Sequence, residues 1–186
     1  ARESVAGFAY SFQGHAFSTW TGSTWSQGFD SATKLWHARQ SYGLDKWRAR
    51  NGVRAWGRTI TQDSQTGSLF YLDKDTFTED GGPMVWGFDT PFIHTFPNGG
   101  IVDAVHFDVA TGYGTLSGQG SDPKIMLQVS KDGGNTFGGY RELELGVRGQ
   151  YATRVTARRL GRFGPKGIVF RLRISDPVAR SIALAD

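Results

Sequence analysis

Apolar and polar residues alternate with a period of two in several short stretches, most regularly in the second half of the chain. Every second residue is apolar in 105–109 and 125–129, and the same alternation recurs at 142–145 and 170–174. Successive side chains of a β-strand point to opposite faces, so this pattern predicts strands with one buried and one polar face. Four such strands in one region indicate a compact β-sandwich-like fold.

The first half contains shorter strand-like runs that turn signals separate closely. These runs lie at 8–12, 16–20, 34–38, 53–60 and 68–73. No long stretch repeats apolar residues at the i, i+3, i+4, i+7 spacing of a helix. Closely spaced strands without intervening helices favour antiparallel meanders, so the predicted fold class is all-β.

A weak internal repeat relates two segments of the first half. Phe29–Thr33 resembles Leu72–Thr76, and an aromatic residue, Trp36 or Phe77, follows each. The offset of 43 residues matches the length of a propeller blade, about 40–50 residues. The interpretation is two β-propeller-like blades, an open pair or part of a larger ring, because closure needs about four to eight blades. Exposed blade edges favour pairing with another chain.

A segment rich in turn residues, 89–100, carries two prolines and a Gly-Gly pair and marks a domain boundary. The predicted domains are therefore residues 1–88, with two blades, and residues 89–186, with the β-sandwich-like fold. Glycine-rich 110–123 is unsuited to a central strand and is predicted to be a long functional or interface loop.

Composition excludes several classes of protein. The 186 residues contain no cysteine, which removes disulfides and cysteine metal sites and leaves the redox compartment open. No apolar run is long enough for a transmembrane helix, so membrane insertion is not expected. The four histidines are far apart and show no metal-ligand spacing. The chain starts at Ala1 without an initiator methionine or a signal peptide, which suggests a processed chain or a fragment.

The net charge of +4 is distributed unevenly along the chain. Residues 141–180 carry ten Lys and Arg against three acids, and residues 46–58 carry five against none. These segments are candidate surfaces for an anion or an acidic partner. Guanidinium groups near aromatic residues also suit sequence-independent contact with DNA. The alternative is a solvated sheet face whose arginine stems cover apolar surface. The candidate interface residues are Arg48, Arg50, Arg154, Arg158, Arg159, Arg171 and Arg173.

A Ser-x-Asp-Gly-Gly-x-Thr-Phe motif, the Asp box that recurs in sialidase-like propellers, lies between two strand patterns. Asp132 can accept backbone N–H bonds, and the two glycines permit a positive φ. Local hydrogen bonds of the hydroxyl groups and an aromatic ring beneath the turn complete a structural explanation. The motif residues are Ser130, Asp132, Gly133, Gly134, Thr136 and Phe137.

No feature specifies catalysis. A glycosidase needs two carboxyl groups about 5–10 Å apart, and nothing in the sequence pairs the acids. Nucleotide-binding and hydrolase motifs are absent from the sequence. We therefore predict no catalytic, cofactor-binding or metal residues and no enzyme activity. A sialidase-like enzyme or a glycan-binding propeller fragment remains the alternative.

The order of motifs in the second half carries a family resemblance. Gly118–Pro123 is followed by the Asp box, by a strand ending in Arg158–Gly161, and by the closing Ser175–Val178. In this order the chain resembles the C-terminal part of the packaged-DNA stabilisation, or tail-hub, proteins of short-tailed bacteriophages. Upstream, 35–58 and 64–85 also fit, so the resemblance covers essentially the whole chain. Phe137 stands where tryptophan is common, and 161–170 is richer in glycine than usual.

The resemblance implies a structural virion protein without a cofactor. Its copies are expected to form a homo-oligomeric ring, a hexamer, that continues and closes the DNA channel and helps retain the packaged genome. Implied partners are the head-to-tail adaptor, the tail needle, tail fibre or spike proteins, and packaged DNA through non-specific contacts. The implied location is the virion tail, after assembly in the cytoplasm of the host bacterium. Family members are longer and carry a propeller-like body upstream.

Overall fold

The structure, a computed structural model, describes residues 4–185 and divides the chain after Gly82 into two compact units. Every element in this range is a β-strand, and the ladders between the longer strands are antiparallel. The predicted all-β fold class is confirmed. No helix in the described range has the length and apolar character that a membrane span requires.

The first unit begins with a four-stranded meander of spatial order β1-β2-β3-β4 and continues with a three-stranded sheet of order β5-β6-β7. A short hairpin of β8 and β9 follows. The strands are β1 Ala6–Phe12, β2 His15–Thr21, β3 Ser26–Asp30, β4 Leu35–Ala38, β5 Ala49–Ala55, β6 Arg58–Asp63, β7 Leu69–Tyr71, β8 Thr78–Glu79 and β9 Gly82–Pro83.

The internal repeat, with its offset of 43 residues, extends beyond the two segments in which the sequence shows it. Gln13 and Gly14 connect β1 to β2 with φ of 52° and 83°, and Trp56 and Gly57 connect β5 to β6 with 49° and 74°. Two positive φ values in a two-residue loop are the type I′ geometry that matches strand twist. The same turn therefore recurs 43 residues later, between strands at corresponding positions. The propeller-like interpretation of these sheets stays a prediction.

The second unit contains two sheets, of order β10-β15-β12-β13 and β14-β11-β16. Thirteen buried apolar residues from both sheets and their connections form one core, with Phe107 and Phe170 in edge-to-face contact at 6.1 Å. The strands are β10 Trp86–Asp89, β11 Gly100–Val109, β12 Lys124–Ser130, β13 Arg141–Glu144, β14 Val155–Phe163, β15 Val169–Ile174 and β16 Ile182–Ala185.

The division between the units lies six residues before the boundary that the sequence suggested. Trp86–Asp89 forms a strand that pairs with β15, so these residues belong to the sandwich. The turn-rich 89–100 that follows is a connection inside the second unit. The glycine-rich 110–123 contains no strand, as predicted.

A β-bulge interrupts the pairing of β11 with β14. Val102 pairs with Gly161 and Ala104 with Arg158, so β14 holds one residue more than its partner. Arg159 adopts a positive φ of 59°, which is uncommon for a residue other than glycine. The bulge breaks the alternation, and Arg158 and Arg159 are consecutive exposed residues.

Candidate functional site

The Asp box forms the connection between β12 and β13, and Asp132 is its centre. One carboxylate oxygen accepts the Ser130 hydroxyl at 2.7 Å and the N–H groups of Asn135 and Thr136 at 3.0 Å each. The other accepts the Thr136 hydroxyl at 2.7 Å. Gly133 and Gly134 have φ of 76° and 90°, so both lie in the region that favours glycine. Hydrogen bonds within the loop thus engage both oxygens of Asp132.

These contacts determine the chemistry that Asp132 offers. The hydrogen bonds from Ser130 and Thr136 hold the pKa of Asp132 well below its usual range. A general acid needs the opposite shift, so the ionised Asp132 is suited to fixing a turn. Phe137 stacks on the Arg171 guanidinium, with 3.6 Å from Cζ to the ring centroid. The assignment of a purely structural role to the Asp box stays a prediction.

Aspartates in the first unit form related turns. Asp30 accepts the Ala32 N–H and the Thr33 hydroxyl, and Asp73 accepts the Asp75 N–H and the Thr76 hydroxyl. Asp63 forms a third turn of this kind with Thr66, which sequence analysis missed. Its Asp-x-x-Thr spacing after a strand was the available signal.

Arg48 is an internal cation of the first unit. Its guanidinium donates to both oxygens of Asp63 at 2.9 and 2.8 Å, and it lies 2.9 Å from Asp80. Asp63 is only 1% exposed. The bidentate bonds from Arg48 lower the pKa of Asp63. This arginine therefore stabilises the fold and has little free capacity for an external anion.

Arg171 and Arg173 also have a carboxylate partner. Arg171 donates to both oxygens of Asp89, with 2.8 Å for the shorter contact, and Arg173 donates to Asp89 at 3.1 Å. The bond from Arg171 lowers the pKa of Asp89. The three groups share one face of the sheet, where β10 and β15 pair. The turn-rich segment that begins at Asp89 gave no signal for a strand, so this carboxylate was not predicted as a partner of the arginines.

The remaining candidate arginines, Arg50, Arg154, Arg158 and Arg159, are exposed. None of them forms an ion pair with a carboxylate of the described residues. The seven candidates therefore fall into two sets, three that pair with aspartates and four without an ion pair among the described residues.

Further cations lie at the β14 bulge. Arg141 on β13 donates to the Arg158 carbonyl at 3.0 Å, and the Lys131 Nζ lies 3.2 Å from where a Cβ on Gly161 would be. Both side chains are exposed and lack an ion pair within the described part of the chain. We call Lys131, Arg141, Arg158 and Arg159 the basic bulge. Three strand regions contribute to it, which only the fold reveals.

The basic bulge has a structural explanation as well. β14 is an edge strand, and unpaired edges invite association with other chains. Charged side chains and a bulge both discourage such pairing. Protection of the edge does not require four cations, however, so the cluster is also suited to bind a polyanion.

The histidines make separate contacts with different partners. His15 lies 2.7 Å from Asp30, His37 accepts a hydrogen bond from Arg39 at 3.0 Å, and His106 lies 2.9 Å from Thr156. Among residues 4–185, no group of three or more acidic or histidine side chains is placed to hold a metal ion.

Comparison with protein families identifies the second unit. Residues 85–186 match the family model described as Bacteriophage P22 Gp10, beta-sandwich. The match begins at residue 85, just past the division between the units, and continues to Asp186. The comparison with curated proteins found no match. Since the family match covers more than half of the chain, the protein belongs to the bacteriophage P22 Gp10 beta-sandwich family and is a structural protein of a phage virion.

Proposed function

We propose that the protein is a tail-hub component of a phage tail machine. Its copies form a homo-oligomeric ring that closes the DNA channel and helps to retain the packaged genome. The ring docks the head-to-tail adaptor on one side and needle, fibre or spike proteins on the other. The observation that carries this proposal is the family match across the whole sandwich unit.

The basic bulge supplies a candidate contact with packaged DNA. Its cations are exposed and lack described carboxylate partners, so phosphate oxygens can pair with them. Contacts with phosphates alone do not depend on base sequence, which suits a channel that any genome must cross. We expect Arg48, Arg171 and Arg173 to contribute less, because the carboxylates of Asp63 and Asp89 already pair with their guanidinium groups.

Electron cryomicroscopy of the virion that carries this chain tests the assembly. We expect a closed ring of copies that surrounds the DNA channel next to the head-to-tail adaptor. Density for isolated copies, or for copies only at the outside of the particle, would contradict the proposal.

Fluorescence anisotropy with two duplexes of unrelated sequence tests the DNA contact. We expect equal affinity for both and a steep loss of affinity with added salt. The double substitution Arg158→Gln and Arg159→Gln should reduce the salt slope by about 2, since each phosphate contact contributes roughly 1. Arg171→Gln is the matched control and should leave the slope unchanged. Equal effects of the two variants would show that the basic bulge is not the DNA contact.

A further inference from the structure

Lys131 lies inside the Asp box, between the two residues whose side chains close the turn. The Ser130 hydroxyl donates to Asp132 at 2.7 Å and accepts the Gly134 N–H at 2.8 Å. Ser130 is fully buried, and further hydrogen bonds from the loop engage both oxygens of Asp132. The backbone of Lys131 is therefore fixed on both sides, while its side chain is exposed.

The Lys131 side chain extends from one sheet of the sandwich to the other. Ser130 ends β12, whereas Gly161 belongs to β14, which lies in the other sheet. The Lys131 Nζ lies 3.2 Å from the position that a Cβ on Gly161 would occupy. Gly161 has a φ of 81°, in the region that favours glycine, and it has no side chain to keep the ammonium group away from the strand. The Asp box thus places a cation beside the backbone of the bulged strand.

A second cation connects the two sheets at the same edge. Arg141 on β13 donates to the Arg158 carbonyl on β14 at 3.0 Å, and Arg158 and Arg159 are exposed. None of the four cations of the basic bulge forms an ion pair with a carboxylate among residues 4–185. Uncompensated cations that lie near one another repel, so an anion that binds among them is stabilised.

The bulge holds an arginine in a conformation that suits glycine better. Arg159 has a φ of 59°, in the left-handed region that disfavours residues with a Cβ. Bulges next to functional sites often redirect a side chain. Regular pairing would turn one of two successive side chains toward the interior, but Arg158 and Arg159 are both exposed. An unfavourable backbone conformation that exposes two adjacent charges indicates a function for those charges.

We propose that Asp132 is a positioning residue for phosphate binding. Through the Asp box it holds Lys131 over the β14 bulge, where the ammonium group and the arginines of the basic bulge bind phosphate oxygens of a nucleic acid backbone. The inference deepens the proposed DNA contact and rests on it, because it names the residue that fixes the place of one of the four cations. Asp132 itself does not contact the phosphate, since the loop already engages both of its oxygens.

The negative charge of Asp132 allows a test by the direction of an effect. Hydrogen bonds from Ser130 and Thr136 lower the pKa of Asp132, so its carboxylate is ionised at neutral pH. Asp132 adjoins Lys131 in the chain, within the Debye length of about 10 Å at 0.1 M salt. Removal of this charge should by itself strengthen the binding of a polyanion. Loss of the fixed position of Lys131 should weaken binding, so the two effects have opposite signs.

Fluorescence anisotropy of the full chain with a labelled DNA duplex, at several salt concentrations, measures this sign. Lys131→Gln should reduce the salt slope by about 1, as for one lost phosphate contact. Asp132→Ala should also weaken binding and lower the slope, by up to about 1, although it removes a negative charge. Asp132→Asn, whose amide oxygen still accepts hydrogen bonds, should bind at least as tightly as the unsubstituted chain. Asp108→Ala, at an exposed position on β11, is the control for a lost negative charge and should not weaken binding.

Double variants identify the group through which Asp132 acts. Asp132→Ala should cause no further weakening in a chain that already carries Lys131→Gln, because the cation that it positions is then absent. Thr136→Val removes the hydroxyl bond to Asp132 without a change of charge and gives the same test with a milder perturbation of the loop. It should weaken binding less than Asp132→Ala does, and only in chains that retain Lys131. Near-ultraviolet circular dichroism at the assay temperature confirms that each variant is folded.

The outcomes separate this inference from the proposed function. Unchanged or tighter binding by Asp132→Ala and Thr136→Val, or equal weakening with and without Lys131, would overturn the inference and leave the proposed DNA contact in place. If Lys131→Gln and the double substitution of Arg158 and Arg159 both bind the duplex as the unsubstituted chain does, the basic bulge is not a phosphate site. The proposed DNA contact and the inference would then both be wrong, as they would be if the unsubstituted chain bound no duplex at low salt.

Discussion

The interiors of the two units contain different kinds of side chain. The sandwich has a contiguous core of thirteen buried apolar residues, with its ion pairs on the surface. In the described part of the first unit, the buried apolar cluster consists of Tyr10, Trp47 and Ala49. The interior of this unit also contains Asp63, Thr59 and Thr61, and Arg48 lies against it. Apolar burial therefore dominates the stability of the sandwich, while polar contacts carry a larger share in the first unit.

In the first unit an arginine side chain packs against aromatic rings, whereas apolar side chains pack against each other in the sandwich core. The Arg39 guanidinium lies 4.6 Å from the Trp47 ring centroid and 5.4 Å from those of Tyr10 and Phe17. Burial lowers the pKa of Arg39 and raises the pKa of Tyr10 to about 12. Interactions of this kind depend on charge, so we expect the units to respond differently to substitution and to acid.

The largest effect is expected in the sandwich core. Leu127 is fully buried on β12, and Leu127→Ala leaves a cavity that close-packed neighbours fill incompletely. We expect the free energy of unfolding of the sandwich to fall by about 4 kcal/mol. Urea unfolding, followed by a probe in each unit, measures it. Met126→Ala, one residue away on the outer face, is the control. An equal loss of unfolding free energy in both variants would show that the apolar core does not dominate the stability of the sandwich.

The next largest effect is expected at the internal ion pair of the first unit. Arg48→Met keeps the length of the stem and leaves Asp63 buried without its cation. We expect the first unit to lose about 3 kcal/mol, as when one partner of a buried pair is removed. The exposed Arg50, two residues away, provides Arg50→Met as the control. If the two variants are equally stable, polar contacts do not hold this unit together.

The contrast between the units also explains what the sequence could predict. Alternation identified the core positions of the sandwich, because each strand there has one apolar face. Asp89 and Arg171 meet only through the pairing of β10 with β15, across 82 positions of sequence, which no local pattern encodes. The basic bulge depends on the positive φ of Arg159, and arginine gives no signal for that conformation. Local turns were therefore predictable, and contacts between distant strands were not.

Acid should weaken the first unit before the sandwich. Bonds from Arg48 lower the pKa of Asp63. Burial acts to raise the pKa of Asp30, but hydrogen bonds from His15, Ala32 and Thr33 outweigh it and bring the pKa to about 2. A carboxylate with a lowered pKa stabilises the fold above its unfolded pKa, near 4, and this contribution is lost as the pH falls through the folded pKa.

We therefore expect the melting temperature of the first unit to fall between about pH 4 and pH 2 more than that of the sandwich. The sandwich also loses the contributions of Asp89 and Asp132, but it keeps its apolar core. Differential scanning calorimetry across this range measures both transitions. Arg48→Met should have a shallower acid dependence, because Asp63 then lacks the cation that lowers its pKa. A parallel decline in the melting temperatures of both units, or an unchanged pH dependence of the melting temperature in Arg48→Met, would contradict the comparison.

The smallest effect is expected at the Asp box, which resembles the aspartate turns of the first unit but lies on the sandwich. Asp132→Ala removes an acceptor of four hydrogen bonds in the loop, from Ser130, Asn135 and two groups of Thr136. We expect the melting temperature of the sandwich to fall by several degrees, and less in Asp132→Asn, where an amide oxygen still accepts. Asp108→Ala, at an exposed position on β11, is the control. Association should be unchanged in all three folded variants, because we assign the loop the structural role of fixing the β12–β13 connection. An Asp132→Ala chain of unaltered stability that no longer assembles would assign the Asp box to function instead.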